Sequence, residues 1–460
     1  MENDIKTLQD ERIKLYDDYF SNIIPKRMPV QMSIAHHILA ERGGIDFFDF
    51  QYDYSLLAGE MEKICATLYS DTCPVGGVGQ WTRTPMFFQF MESQSFVMGA
   101  GGFIQHPEVV GLFEDEYDAL IEDAYATVLE IVVPRQQKAM GLDDPVKRAN
   151  AVHMSILSKI DDGAAIGPTI AKLMAEYGYY TGAPRGSGGA TVAPCDFVAD
   201  QLRSFSGFSK DIRRNRERVF AACEAVYPLM FLWGLPQMPA PQGNVNIPLH
   251  MPTFMREKDY VEIWLPSYLK MVEQYAARGS RVSHFNEHDW MRYLDILQDF
   301  PAGQIMRFEY GFDSAQQIKD KLSKKHFIGG LYPLIYARTK TRQENIDEVK
   351  KFLDIMLPGG GYMFGFDKGP IVASDIVMDN YCAIADTLRN YAVYDNPGQP
   401  YGTLLNVENF KIEETPKLES KYAFNWEEFK AKYPYTPDSA KARFENYYNT
   451  MMSINLNLSV

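Results

Sequence analysis

Arg281-Val-Ser-His-Phe-Asn286 reads as a strand, and the apolar spacing from Trp290 to Leu297 that follows it reads as a helix. Three more units of the same kind come after it. Gln304-Ile-Met-Arg-Phe-Glu-Tyr310 is a strand and residues 314–323 are a short helix, with Asp313 or Ser314 able to cap it. His326-Phe-Ile-Gly-Gly-Leu331 is a strand, and Thr341-Arg-Gln-Glu344 is a capping box opening a helix with Ile346, Val349, Leu353 and Met356 on one face. Pro358-Gly-Gly-Gly361 stops that helix, and Tyr362-Met-Phe-Gly-Phe366 is a strand. Ser374 or Asp375 then caps a helix whose inner face is Val377, Tyr381, Ile384, Leu388 and Tyr391. Four consecutive strand–helix units imply parallel strands joined by crossover helices. An open doubly wound sheet and a closed (β/α)₈ TIM barrel both satisfy the pattern. The lack of a nucleotide fingerprint favours the barrel, and in either fold ligands sit at the C-terminal ends of the strands.

The first half is less regular. Residues 6–24 read as a surface helix, and residues 54–69 place Leu56, Leu57, Met61, Ile64 and Leu68 at helical spacing. Residues 114–133 form another amphipathic helix with an acidic first turn. Pro74-Val-Gly-Gly-Val-Gly, before Trp81-Thr-Arg-Thr-Pro, lacks the GxGxxG-then-helix form of a phosphate loop. Gly182 to Gly189 reads as a loop, with a pocket mouth as its functional alternative. The proline-punctuated stretch 234–253 reads as irregular. The expected division is a mostly helical N-terminal extension over 1–80, a catalytic barrel over 81–396, and a C-terminal extension over 397–460 packing on it.

A formal charge of −14, from 46 basic and 60 acidic side chains, argues against a general nucleic-acid binder. The five cysteines form no CxxC pair, which suits a reducing cytosol rather than a disulfide framework. The charged start MENDIKTLQDERIK has no apolar core of a signal peptide, and no apolar run approaches the ~18–20 residues that span a bilayer. A cytoplasmic protein with no membrane partner is expected. Abundant Met and aromatic side chains fit a Met-rich core or a pocket for flat apolar ligands; composition does not separate the two.

Polar side chains crowd the ends of the four strands: His284, Glu287, His288 and Asp289 after the first, Glu309 and Asp313 after the second, Tyr332 after the third, Asp367 and Lys368 after the fourth. Carboxylates gathered on one rim repel, so a bound cation or shifted pKa values are expected. Mixed His, Glu and Asp ligands from different strands suit Zn²⁺ with an open position, although the spacing matches no zinc signature. The expected metal set is His284, Glu287, Glu309, Asp313 and Asp367; the expected catalytic set is Glu287, His288 and Tyr332. A rim of solvated or helix-capping charges is the plainer alternative, above all for Asp289 and Asp313. His36, His37, His106, His153, His250 and His326 read as structural or surface residues.

Phe327-Ile-Gly-Gly-Leu-Tyr-Pro333, Thr339-Lys-Thr-Arg-Gln-Glu-Asn-Ile-Asp-Glu-Val349 and Pro358-Gly-Gly-Gly-Tyr362 together resemble the uroporphyrinogen-decarboxylase-like superfamily. Ala193-Pro-Cys-Asp-Phe-Val-Ala-Asp-Gln-Leu-Arg203, Glu116 to Asp123 and Val133-Pro-Arg135 resemble it more weakly, so the likeness runs over about residues 80–395. It implies a (β/α)₈ barrel. The Gln-Ala-Gly-Arg tract of the true decarboxylases is absent, which disfavours porphyrinogen decarboxylation. The thiol-activating methyltransferases of the family bind zinc through His-x-Cys and a later Cys. The equivalent positions here read His284-Phe-Asn286-Glu287 and Gly365-Phe-Asp367-Lys368, with no cysteine. The chain resembles most the first methyltransferases of anaerobic O-demethylase systems, of the veratrol type. That resemblance implies removal of a methyl group from a methoxylated aromatic and its transfer to the cob(I)alamin of a corrinoid protein, with Zn²⁺ or an acid on the ether oxygen. It also leaves a homodimer open. The alternatives are another methyl donor (a methylamine, a betaine or a thiol), a decarboxylase of another acid, and a non-catalytic barrel that binds a tetrapyrrole.

Overall fold

The computed structural model describes residues 2–76 and 84–459. The tract at Trp81-Thr-Arg and the expected boundary at residue 80 lie outside them. A two-residue antiparallel pair, β1 (Val97–Met98) and β2 (Ile104–Gln105), stands apart from the main sheet. That sheet is parallel and six-stranded: β3 (Gly189–Ala190), β4 (Asn244–Leu249), β5 (Arg281–Asn286), β6 (Ile305–Phe308), β7 (Phe327–Tyr332) and β8 (Tyr362–Phe366), hydrogen-bonded in that order.

The order decides between the two folds left open by the sequence. A doubly wound sheet reverses its strand order at a switch point, whereas these six strands run sequentially, as in the wall of a barrel. Closure is where the expectation is corrected. Among the described residues six strands, not eight, are in register, and no strand joins β3 to β8. Residues 27–34 run without helix beside the bends and turn of 70–76, with Ile34 N–H donating to the Pro74 carbonyl and Asp71 N–H to that of Val30. Gln31 and Ser33 from this segment line the same cavity as Arg307 and Gly365 on β6 and β8. This segment thus borders the cavity in the gap between β3 and β8 without a ladder to either strand, and the Ser33 carbonyl accepts from the Tyr381 hydroxyl on the helix after β8.

The four legible strand–helix units appear, with crossover helices Leu294–Asp299, Ala315–Leu322, Arg342–Met356 and Met378–Tyr391; the last starts without a side-chain cap from Ser374 or Asp375, and Val377 and Tyr391 are exposed rather than on its buried face. Both arms of the Thr341–Glu344 capping box form. Gly359, Gly360 and Gly361, at φ 88°, 76° and 76°, stop the helix that the box opens. The segment 114–133 is not one helix: Asp123 is extended, and its carboxylate caps a new start by accepting from Ala126 N–H. Residues 234–253 contain β4, which the prolines concealed. Pro248 is tolerated because β3 is only two residues long and pairs with Val245 and Asn246; further along, β4 has no ladder on that side for a missing N–H to break.

The N-terminal helix Glu2–Phe20 is more than a surface helix. Its Leu15, Tyr16, Tyr19 and Phe20 are buried. Tyr19 and Phe20 pack on Phe327 with centroids 5.0 and 5.9 Å away, and the Arg281 guanidinium lies over Phe20 and Phe327. These rings close the N-terminal end of the strands like a stopper. The tail after residue 396 crosses the outside: Thr403 donates to the Lys324 carbonyl, Arg278 to that of Glu413, and Gln137 to that of Leu458. These contacts lie on outer helices and on turns ahead of the strands, not at the strands' C-terminal ends. No described helix is long and apolar enough to cross a membrane.

Candidate active site

Parallel strands in register bring their C-terminal ends to one rim. On the inward face one layer reads Phe285, Arg307, Gly329 and Met363 across β5 to β8. Above it lies a chamber of about 650 Å³, walled by Phe50, Tyr54, Phe103 and Phe285 and reached by Glu287, Arg307, Glu309 and Lys368. Below it an inner chamber of about 350 Å³ runs down to Tyr19 and Phe20. Arg307, Lys368, Gly369 and Pro370 line both, so they form the neck between them. Size and aromatic lining suit a small flat molecule.

One chain of ionisable groups stands at this rim. Leu249 and Asn286 are partners at the ends of β4 and β5, so the next residues, His250 and Glu287, emerge side by side. His250 Nε2 lies 2.8 Å from Glu287 Oε2, and its Nδ1 lies 3.0 Å from Asp200 Oδ2. The bonds to Asp200 and then Glu287 raise the His250 pKa to about 11, against partial desolvation. The imidazole is therefore a cation held between two carboxylates. Asp196 lies behind it, fully buried, accepting from His250 N–H and Trp264 Nε1–H. Burial, and then the charge of Asp200, push its carboxyl pKa upward. Asp196 and Asp200 reach the site from one wide helical segment, Pro194–Asp196 continuing as a π-helical stretch over Phe197–Arg203. Such widened turns recur where a helix must aim side chains at a site.

The expected site residues separate. Glu287 and Glu309 both reach the outer chamber. Glu309 Oε2 accepts from His288 N–H at 2.8 Å, while the His288 ring is half-exposed, 4.0 Å from the same oxygen and edge-on to Phe254. His288 is thus at the rim but turned toward Phe254 and solvent. His284 points the other way, into the helix layer. It is fully buried, its Nδ1 lies 2.7 Å from the Tyr268 hydroxyl, and burial lowers its pKa to about 3. Tyr332 is also in the outer layer, among Phe312, Tyr336 and Phe352. Burial raises its hydroxyl pKa, and it is not a group at the mouth. Asp313 is exposed inside the one-turn helix Phe312–Ser314 and makes no cap. Asp289 does cap, accepting from Met291 N–H. Asp367 is occupied by Leu334 and Lys368 N–H, and its pKa is raised by desolvation.

His284, Glu287, Glu309, Asp313 and Asp367 therefore do not converge on one point. Among the described residues no three His, Cys, Asp or Glu side chains are gathered as a metal ion requires. The expected zinc set does not fit this arrangement, since it mixes inward and outward faces of the wall.

Sequence reasoning missed Asp196, Asp200, His250 and Arg307. Asp196 and Asp200 were inside the tract Ala193–Arg203 that carried part of the family likeness. His250 was hidden with β4, and Arg307 stood in a strand whose inward parity was not used.

The fold and rim define an α/β protein with a sequentially ordered parallel sheet and an aromatic chamber at its strand ends. No family profile and no curated protein matches the chain. Among solved structures, a methyltransferase from Methanosarcina mazei matches 84% of this chain and 98% of its own, at 12% identity and a TM-score of 0.47. A likeness at that level carries no argument about this chain's activity.

Proposed function

We propose that this protein transfers a methyl group from an aryl methyl ether to the cob(I)alamin of a separate corrinoid protein, with an acid rather than a metal assisting the ether oxygen. One observation carries the reading most: the proton-holding relay Asp200–His250–Glu287 stands at the mouth of an aromatic-walled chamber. The family likeness of the strand-end tracts supports the same reading.

An aryl ether is inert because phenolate leaves poorly, and a positioned acid lowers that barrier. The corrinoid would supply the nucleophile that takes the methyl carbon. The electron pair of the broken C–O bond stays on the phenolate oxygen, and one proton is needed there. Both His250 nitrogens are engaged, so the proton reaches the substrate through Glu287, which faces the chamber. His250 is the proton store behind Glu287, and the departing phenolate, with a reference pKa of about 10, is basic enough to take a proton. Phe50, Tyr54, Phe103 and Phe285 wall the space for the ring.

The test is direct. The purified protein is mixed with free cob(I)alamin and a methoxylated aromatic, and the cobalt spectrum is followed. Methylated corrinoid and free phenol in equal amounts are expected. No methyl transfer from any aryl ether, with transfer from a methylamine, a betaine or a thiol instead, would reject the ether. CO₂ release without corrinoid would reject methyl transfer altogether.

A further inference from the structure

We infer that Arg307 is the anchor for an anionic substituent, a carboxylate, on the aromatic substrate. The inference rests on the ether-cleaving reading for the identity of the ring, but its evidence is separate.

Arg307 lies on β6 with its side chain turned into the neck between the two chambers. Its guanidinium stacks over the Phe285 ring, 4.6 Å from the centroid. Among the described residues it forms no ion pair and no hydrogen bond through its side chain; Phe285 is its described partner. Arg281, at the closed end of the strands, also stacks on phenyl rings, but it donates to the Phe20 carbonyl and is buried away from the chamber mouth; three further guanidiniums with little exposure are paired with carboxylates. Arg12 and Arg27 both bind Asp71, and Arg203 binds Asp211. Surrounding protein depresses the Arg307 pKa, while the charge of Glu287 opposes that fall. Glu287 is itself engaged by His250.

Arg307 stays open to the chambers on an otherwise buried or half-buried strand, and a guanidinium at a cavity with no counter-charge of its own can take one from a ligand. Three features aim the site at a carboxylate on a flat ring. The guanidinium fork matches a carboxylate in two parallel hydrogen bonds. The neighbour in register, Gly329, has no side chain, so an ideal Cβ there would still stand 4.0 Å from Arg307 Cγ and space remains beside the fork. Phe285 and the aromatic wall lie on the outer side, where the ring would extend from the neck toward Glu287. The substituent then sits deep and the reacting ether faces the rim.

The test measures binding without corrinoid, so it does not depend on methyl transfer. Titration calorimetry compares 4-methoxybenzoate with anisole on the wild-type chain and on Arg307→Gln. The wild type is expected to prefer the benzoate, and Arg307→Gln to bind it roughly 10- to 100-fold more weakly, the scale of a charge-assisted hydrogen-bonded pair, with anisole unchanged. Arg307→Lys, which keeps the charge but loses the fork, should fall between. Arg307 is exposed and makes no ion pair or side-chain hydrogen bond among the described residues, so the melting temperature of the unliganded Gln variant should stay near that of wild type, which separates lost binding from lost folding. Equal binding of benzoate by wild type and Arg307→Gln overturns the inference, as does a wild type that binds anisole as tightly as the benzoate. If carboxylate preference is found but no ether is cleaved, the anchor stands and the proposed reaction fails. If neutral and anionic ethers are cleaved alike, the anchor fails and the reaction stands.

Discussion

Glu287 touches both the chamber and the proton store, so its replacement separates the two roles. Glu287→Gln keeps the size and one hydrogen bond to His250 but ends proton passage. Demethylation should fall roughly 10²- to 10⁴-fold, the usual worth of a positioned acid, with an unchanged circular dichroism spectrum; near-normal turnover would remove Glu287 from the reaction. The charge on His250 has a second signature, in stability. Its folded pKa is raised from 6.5 to about 11 by Asp200 and Glu287. Below about pH 6.5 the folded and unfolded chains both hold the proton, and the full stabilisation is present. As pH rises from 6.5 toward 11 the unfolded chain loses its proton first, so the stabilisation shrinks and is gone above 11. The gap in urea stability between wild type and His250→Gln should therefore narrow across that range. A pH-independent gap would mean that the imidazole is neutral. His250 is half-exposed, so solvent screening tempers the effect.

At the scale of the element, what was legible and what was not has one cause: a strand's period is two, and a shift of one residue exchanges its faces. The sequence around β5 shows His284 and Glu287 near one strand end. It does not show that Ser283 and Phe285 face the cavity, which turns His284 outward onto Tyr268. Tyr332 is re-aimed for a related reason. Gly330 and Leu331 both have positive φ, at 80° and 77°, so the end of β7 turns before Tyr332. An ideal Cβ on Gly330 would stand 2.2 Å from the Phe308 carbonyl oxygen, so the turn depends on glycine. Local signals with a fixed spacing survived intact, as the Thr341–Glu344 box shows. Strand β4, broken by Pro248, did not, and His250 was lost with it. Two substitutions test these element-level statements. Thr341→Ala removes the cap of Arg342–Met356 and should cost about 1 kcal/mol in chemical denaturation, with turnover unchanged. Tyr268→Phe leaves His284 Nδ1 without its hydroxyl and should cost on the order of 1–3 kcal/mol, again without loss of turnover. A strong loss of activity in Tyr268→Phe would return His284 to the site.

For the whole molecule, the open wall has to be held without a closing ladder, and Asp71 is the group placed to do it. Its carboxylate is fully buried and meets Arg27 through two bonds at 2.7 and 2.8 Å, Arg12 at 3.3 Å, the Tyr69 hydroxyl, and the Val30 N–H. These partners belong to the stopper helix, to the segment 27–34 that fills the gap in the wall, and to the chain before residue 76. Arg12 continues the link to the carbonyls of Ser70, Tyr177 and Gly178. One carboxylate thus ties together three pieces that the sheet does not hydrogen-bond. Its pKa is lowered, because the Arg27 pairing and the N–H and hydroxyl donors outweigh the desolvation that would raise it. The sign of the pH effect follows: the stabilisation is present above the ordinary carboxylate value of 3.8, and is lost as pH falls through the lower folded value. Asp71→Ala leaves two inward guanidiniums without a counter-charge, so a loss of about 3–5 kcal/mol is expected. Because the stopper and the gap-filling segment line the inner chamber, the loss should be accompanied by faster hydrogen exchange in residues 12–34. An Asp71→Ala chain as stable as wild type, with unchanged exchange there, would show that hydrophobic contact alone holds the wall.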